Sequence, residues 1–173
     1  MSAPRQAPPR NLPLLAGCLA VTFACAAIGA RASIEAAQFY QQLARPAWAP
    51  PPWLFGPVWS VLYLLMALAA WRVGRHGVRR AAPALLLYAG QLVLNALWSW
   101  LFFGWHRGAL ACACIVALWL AIAATMRQFG RHERLAALLL WPYLGWVAFA
   151  GLLCLDIWRR NPALLGAPGG SIF

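Results

Sequence analysis

Five stretches of this chain stay apolar for about as long as a helix needs to cross a lipid bilayer, roughly 20 residues at 1.5 Å each. They cover residues 12–30, 53–71, 83–103, 108–126 and 135–158. Lipid offers no partner to a backbone N–H or C=O, so a spanning segment must be a helix or belong to a closed barrel. The runs are about twice the ~9–11 residues of a barrel strand, which excludes the barrel. The expected fold is an all-α integral membrane protein, a five-transmembrane-helix bundle over residues 12–158. A basic, Pro-rich tail precedes it over residues 1–11, and a C-terminal tail follows over 159–173. Only 10% of the residues are charged, against about 25% in soluble domains. No separate soluble domain fits.

A net charge of +11 invites a nucleic-acid reading. Yet the arginines lie between apolar blocks rather than along one face, and no nucleic-acid-binding motif accompanies them. Their partner is the bilayer surface. Arg5, Arg10, Arg72, Arg75, Arg79, Arg80, Arg127, Arg131 and Arg134 fall on the side of the N-terminus; Arg31, Arg45, Arg107, Arg159 and Arg160 fall on the other. By the positive-inside rule the N-terminus faces the cytoplasm in an ordinary bacterial inner membrane. Leu15-Ala16-Gly17-Cys18 resembles a lipoprotein cleavage box, but the apolar run before Cys18 begins only at Leu12. A signal core needs about 7–15 residues, so the first span is expected to stay as a helix.

Proline punctuates the connection between spans one and two. In Arg45–Met66, RPAWAPPPWLFGPVWSVLYLLM, three prolines (Pro50, Pro51, Pro52) stand between Trp48 and Trp53. Proline fixes φ, removes a donor and pushes its predecessor out of the α region, so residues 46–52 cannot be helical. Pro57 sits where a first-turn proline is tolerated. Residues 31–52 thus combine a polar, mobile first half carrying Tyr40 with a stiff, aromatic-flanked cap.

Conventional chemistry is thinly supplied. Cys18, Cys25, Cys112, Cys114 and Cys154 lie inside apolar blocks with no ligand pair or histidine at ligand spacing, which reads as packing and not a metal or disulfide framework. Of the three acids, Glu35 is in the cap loop and Glu133 in a basic loop. Asp156 has Arg159 and Arg160 at i+3 and i+4 as interfacial partners. His76, His106 and His132 are loop residues beside arginine. There is no Ser–His–Asp set, Gly-rich phosphate loop or carboxylate pair, so a hydrolase or nucleotide enzyme is not expected.

The unusual residues sit within the spans. Gln91, Asn95, Trp98 and Phe102 follow at i, i+4, i+7 and i+11, one helical face. Two amides in hydrocarbon need partners, since an unsatisfied one costs roughly 2–7 kcal/mol. Taken alone they read as interhelical glue, worth about 0.6–2 kcal/mol per bond. Their company favours a second reading. Trp59, Tyr63 and Met66 share a face of span two, and Trp146 and Ala150 a face of span five. Aromatic walls with a few polar groups describe a pocket for a flat, largely apolar ligand. Trp100 and Trp119 are expected to face lipid.

The Trp48, Pro50, Pro51, Phe55, Trp59, Leu62, Tyr63, Met66 pattern resembles the hallmark run of the TspO/translocator-protein family, the tryptophan-rich sensory proteins. Gln91-Leu-Val-Leu-Asn95-Ala-Leu-Trp98 with Phe102-Phe103-Gly104, and Pro142-Tyr143-Leu144-Gly145-Trp146 through Phe149-Ala150, resemble its third- and fifth-helix signatures. The resemblance implies a pocket inside a five-helix bundle, capped by the loop between helices one and two. It implies Tyr40, Trp59, Tyr63, Gln91, Asn95, Trp98, Trp146 and Ala150 as ligand-binding residues. Porphyrin or haem is the implied ligand, with sterols or benzodiazepine-type molecules as further ones, and no cofactor is obligatory. Some relatives break porphyrin down in light, which makes Trp59 and Trp146 the candidate catalytic residues. A homodimer is implied too. Stripes at Ala16, Ala20, Ala24 and at Ala113, Ala117, Ala121 would allow close packing.

Departures bear on the reading. Phe39 replaces a common Trp, Cys154 a common Asn, and Leu155 the Tyr of a proposed cholesterol motif, so sterol binding through the C-terminal segment is not expected. Three function classes remain: tetrapyrrole sensor or transport regulator, photo-oxidative enzyme, and helix-packing scaffold.

Overall fold

The computed structural model describes residues 11–34 and 36–166. The tail before Asn11, Glu35 and the end of the C-terminal tail lie outside the described residues. The fold is all-α, with five helical segments long and apolar enough to cross a membrane: Leu12–Arg31, Pro52–Gly74, Val78–Gly104, Gly108–His132 and Arg134–Arg160. It is an integral multi-pass membrane protein. Helix α1 (Leu12–Arg31) packs on α3 (Phe55–Gly74) and α4 (Val78–Ser99), α4 along α5 (Gly108–His132), and α5 against α7 (Trp141–Arg160). Short helices α2 (Ala36–Gln42), α6 (Arg134–Leu138) and α8 (Pro162–Leu165) fill the connections.

The elements depart from the expected spans and loop in five places. The first half of the cap loop contains a helix, α2, because its Tyr40 and the following Leu43 bury themselves among the ends of α4, α5 and α7. Helix α4 starts at Val78, not Pro83, after Gly77 turns the chain at φ 114. Pro83 deletes only one hydrogen bond, one turn inside a terminus where the first four N–H groups are unpaired anyway. Helix α5 runs past Met126 to His132, held by Phe129, which is fully buried and packs against Tyr88 at 5.9 Å. The fifth span breaks at Leu139–Leu140 because Pro142, in the first turn of α7, cannot continue a helix from α6. The third span ends in a wide π turn over Trp100–Gly104, closed by Trp105 N–H donating to the Trp100 carbonyl at 2.7 Å.

The two ends of the bundle are fastened differently. At the cap end, Asn161 Oδ1 accepts from Ala44 N at 2.8 Å while its Nδ2 donates to the Ala44 and Ile157 carbonyls at 3.0 and 2.7 Å. Tyr40 donates its hydroxyl to the Pro50 carbonyl at 3.2 Å, and Arg45 lies over its ring. The Pro-rich segment is non-helical up to a single 3-10 turn at Pro52–Leu54. At the other end Glu133 accepts from Arg72 and pairs with His76 at 3.1 Å and Arg75 at 3.8 Å, tying α3 to the α5–α6 turn. Arg160 pairs with Asp156 at 3.0 Å, an i,i+4 contact on α7.

Partial burial pushes the Glu133 carboxyl up, but hydrogen bonds from Arg72 and His76 and the charges of Arg72 and Arg75 outweigh it and hold the group below its ordinary 4.5. A carboxyl depressed in the folded state stabilises above its unfolded value and loses that contribution as pH falls through the folded one. The thermal midpoint is expected to drop as pH is lowered below about 4.5, and Glu133→Gln to flatten that drop. An acid limb of unchanged depth in the variant would assign it elsewhere.

Close approach of α5 and α7 requires Gly108, where an added Cβ would stand 2.2 Å from Trp158 Cδ1. Gly108→Ala is expected to cost about 1–3 kcal/mol by overpacking. Gly145→Ala, with open space around it on α7, should be neutral or stabilising. Equal melting temperatures for the two variants would count against this packing.

Candidate functional site

A cavity of about 580 Å³ lies under the cap. Helix α3 contributes Phe55, Trp59 and Tyr63 at i, i+4 and i+8, successive turns of one face. Helix α7 contributes Trp146 and Ala150, α4 contributes Trp98, and α2 contributes Tyr40 from above. Helix α1 contributes Phe23, whose ring lies 6.2 Å from that of Tyr63, and then only the small residues Ala26, Ala27, Gly29 and Ala30. The aromatic wall is built edge to face. Phe55 meets Tyr40 at 5.5 Å and 77°, and Trp146 at 6.0 Å and 73°. Trp59 lies 5.4 Å from Tyr63 and 6.1 Å from Tyr143. Such pairs are favoured over face-to-face stacking and fix the ring planes.

Of the residues singled out in the sequence, Tyr40, Trp59, Tyr63, Trp98, Trp146 and Ala150 line this cavity, and Gln91 and Asn95 do not. Both amides are buried one layer behind the wall. Tyr63 donates to Asn95 Oδ1 at 2.7 Å, Asn95 Nδ2 donates to the Tyr143 hydroxyl at 3.0 Å, and Tyr143 donates to Gln91 Oε1 at 2.8 Å. Gln91 Nε2 ends the chain on Met66 Sδ at 3.8 Å. A hydroxyl carries one proton and the Met66 thioether can only accept, so the chain runs in this sense. Tyr143 is the residue the amide pattern alone does not find. Its signal is that a tyrosine deep in an apolar span needs a partner for its hydroxyl.

Two donors in the wall lack partners. The indole N–H of Trp146 is buried with none, and that of Trp98, beside the Cys154 thiol, finds none of hydrogen-bonding geometry. An unsatisfied buried donor costs about 1–3 kcal/mol. Tryptophans outside the site have other tasks. Trp100, half-buried, donates to the Ile28 carbonyl at 3.1 Å and ties the π turn to α1. Trp119 is exposed on α5.

Fold and site together define a five-span helical membrane protein with a capped, aromatic-walled cavity. The TspO/MBR family model matches residues 16–159, and the chain belongs to that family. It is 40% identical over 142 residues to protein CrtK of Rhodobacter capsulatus, covering 80% of this chain and 89% of the relative. To the tryptophan-rich protein TspO of Chlorobaculum tepidum it is 40% identical over 147 residues, 84% and 91% of the two chains. To the human translocator protein it is 38% identical over 130 residues, 73% and 77%.

Because both ends of the Asn95 amide are bonded inside the protein, Asn95→Ala is expected to lower thermal stability by about 1–3 kcal/mol. Protoporphyrin affinity of the folded fraction should stay within about threefold, a difference under 1 kcal/mol. A tenfold loss of affinity at unchanged melting temperature would place the amide in contact with the ligand.

Proposed function

We propose that this protein binds a tetrapyrrole, porphyrin or haem, in the capped cavity and acts as a membrane sensor or transport regulator. The observation that carries the reading is the cavity itself, lined by Trp59, Trp98, Trp146 and further aromatic rings together with small residues of α1. Its volume falls within the roughly 300–1,000 Å³ of small-molecule sites, and its walls are mostly apolar with few polar groups. In this reading Trp59 and Trp146 stack on the macrocycle, and Tyr40 closes the cavity from above. Arg31 and Arg45, at the same end, attract the carboxylates. Sterol or benzodiazepine-type molecules are further candidates for the same cavity. The exposed stripes at Ala16, Ala20, Ala24 and at Ala113, Ala117 support a homodimer in the bilayer.

An absorbance titration of the purified protein with protoporphyrin, in the dark and under illumination, tests this. Trp59→Ala and Trp146→Ala are each expected to weaken binding about ten- to a hundredfold, the roughly 1–3 kcal/mol of a stacked ring. Trp119→Phe should bind as the parent does. Undiminished binding in the double variant would rule the cavity out as the site.

A second reading, photo-oxidative porphyrin breakdown, is favoured by one observation. Trp59 and Trp146, both readily oxidised indoles, line the same cavity, with Tyr63 5.4 Å from Trp59. Trp59→Phe and Trp146→Phe should then retain binding while slowing light-dependent loss of the porphyrin band. A band stable to light in the parent protein leaves only the sensor reading.

A further inference from the structure

Cys112 and Cys154 take no part in the cavity wall. Cys112 lies in the second turn of α5 and Cys154 near the end of α7, with their sulfurs 3.4 Å apart. Small residues bring these two helices close on either side of the pair. Gly108 lies against the Trp158 ring, and an added Cβ at Gly151 would stand 3.6 Å from Ile115. Cys154 is buried and Cys112 is half-buried. The other cysteines are placed differently. Cys114 directs its S–H to the Leu94 carbonyl at 3.5 Å. Cys18 and Cys25 share α1 two turns apart, about 10 Å at 1.5 Å per residue, beyond the ~7 Å that a disulfide can bridge.

Two thiols are weak hydrogen-bond partners for each other, so their contact adds little as packing. The sulfurs are close enough to join with a small shift: bonding distance is about 2.05 Å, an approach of roughly 1.4 Å from where they stand. The arginine distribution also predicts that the cap end faces away from the cytoplasm, the side on which thiols oxidise.

We propose that Cys112 and Cys154 form an oxidisable dithiol that a hydroperoxide converts into a cross-link between α5 and α7. Cys112, the more accessible sulfur, attacks the terminal peroxide oxygen as its thiolate. The O–O bond breaks, and an alcohol or water leaves with a Cys112 sulfenic acid behind. The Cys154 thiol then attacks that sulfur. The S–S bond forms, the S–O bond breaks and water departs. Two thiols and one peroxide give one disulfide, one alcohol or water, and one further water, with two electrons passing from sulfur to oxygen. Cys154 stands one turn from Ala150 of the cavity and shares a buried cluster with Tyr40 and Leu43 of the cap. The bridge therefore fixes helix spacing beneath the cap.

The test uses the full chain in lipid nanodiscs, exposed to hydrogen peroxide or cumene hydroperoxide, then denatured and alkylated. The reduced protein carries five alkylatable cysteines. Oxidation is expected to leave three, with a linked Cys112–Cys154 peptide 2 Da lighter than its parts and dithiothreitol restoring all five. The melting temperature should rise on oxidation and return on reduction. In Cys154→Ser, dimedone should trap a sulfenic acid at Cys112, and Cys112→Ser should leave Cys154 unmodified. Reaction with one peroxide and not the other would tell an aqueous from a lipid-phase oxidant, and either result supports the pair. Oxidation confined to Cys112 in the parent protein, a link through Cys114, or five cysteines still alkylated would overturn it. Should either variant fail to fold, the peptide map of the parent protein alone decides.

Discussion

Gln91 and Asn95 sit in a bundle otherwise made of hydrocarbon and aromatic rings, and the structure is arranged around satisfying them. One hydroxyl, that of Tyr143, accepts from Asn95 and donates to Gln91, while Tyr63 donates to the Asn95 oxygen. The chain joins α3, α4 and α7 and has a fixed direction. Reversing the Gln91 amide would set an oxygen against the Met66 sulfur, two acceptors face to face. Sliding one helix by a turn would leave an amide unpaired in an apolar interior, at a cost of several kcal/mol. That locked register is what turns Trp59, Trp98 and Trp146 toward a common space.

The space exists because α1, apart from Phe23, lines it only with alanine and glycine. Among its described residues only Thr22 and Gly29 are buried. Thr22 shares a 2.6 Å hydrogen bond with Tyr88, and Gly29 lets α1 settle against Ala96 and Ser99, close by the bond from Trp100 to Ile28. These contacts hold the helix at two heights. The alanines that face the cavity from the same helix leave the distance to the tryptophan wall open.

The architecture was legible in the sequence because hydrocarbon allows a spanning chain so few solutions. Element ends were less so. The α6–α7 break follows from Pro142, visible in the sequence but masked by an unbroken apolar run. The extension of α5 past its arginines and the folding of α2 depend on Phe129, Tyr40 and Leu43 finding burial against distant elements. The site shows the same limit. Helical period puts Gln91, Asn95 and Trp98 on one face, but that face is wide enough for its two ends to look at different neighbours. Trp98 reaches the cavity, while the amides reach Tyr143, some fifty residues further on. Asn161 was hidden in the C-terminal tail because its partner is the backbone of Ala44, and a backbone carries no sequence signal.

The two ends of the bundle differ in how firmly they are closed. Away from the cap, Glu133 gathers Arg72, Arg75 and His76, charge-assisted contacts that bind α3 to the α5–α6 turn. Over the cavity, the loop is fastened by the Asn161 side chain to the Ala44 backbone and by Tyr40 to Pro50, neutral hydrogen bonds worth about 0.5–1.5 kcal/mol each. The bundle beneath is held by apolar burial and by the Tyr143 chain, which any large helix movement would break. Local opening follows the weakest set of contacts. The proline run keeps the second half of the loop stiff. The first half turns on α2, a helix too short to be stable without the cluster it packs into. Tyr40 belongs both to that cluster and to the cavity lining, so the loop over the cavity is held by burial and neutral hydrogen bonds, and the walls beneath it by the Tyr143 chain.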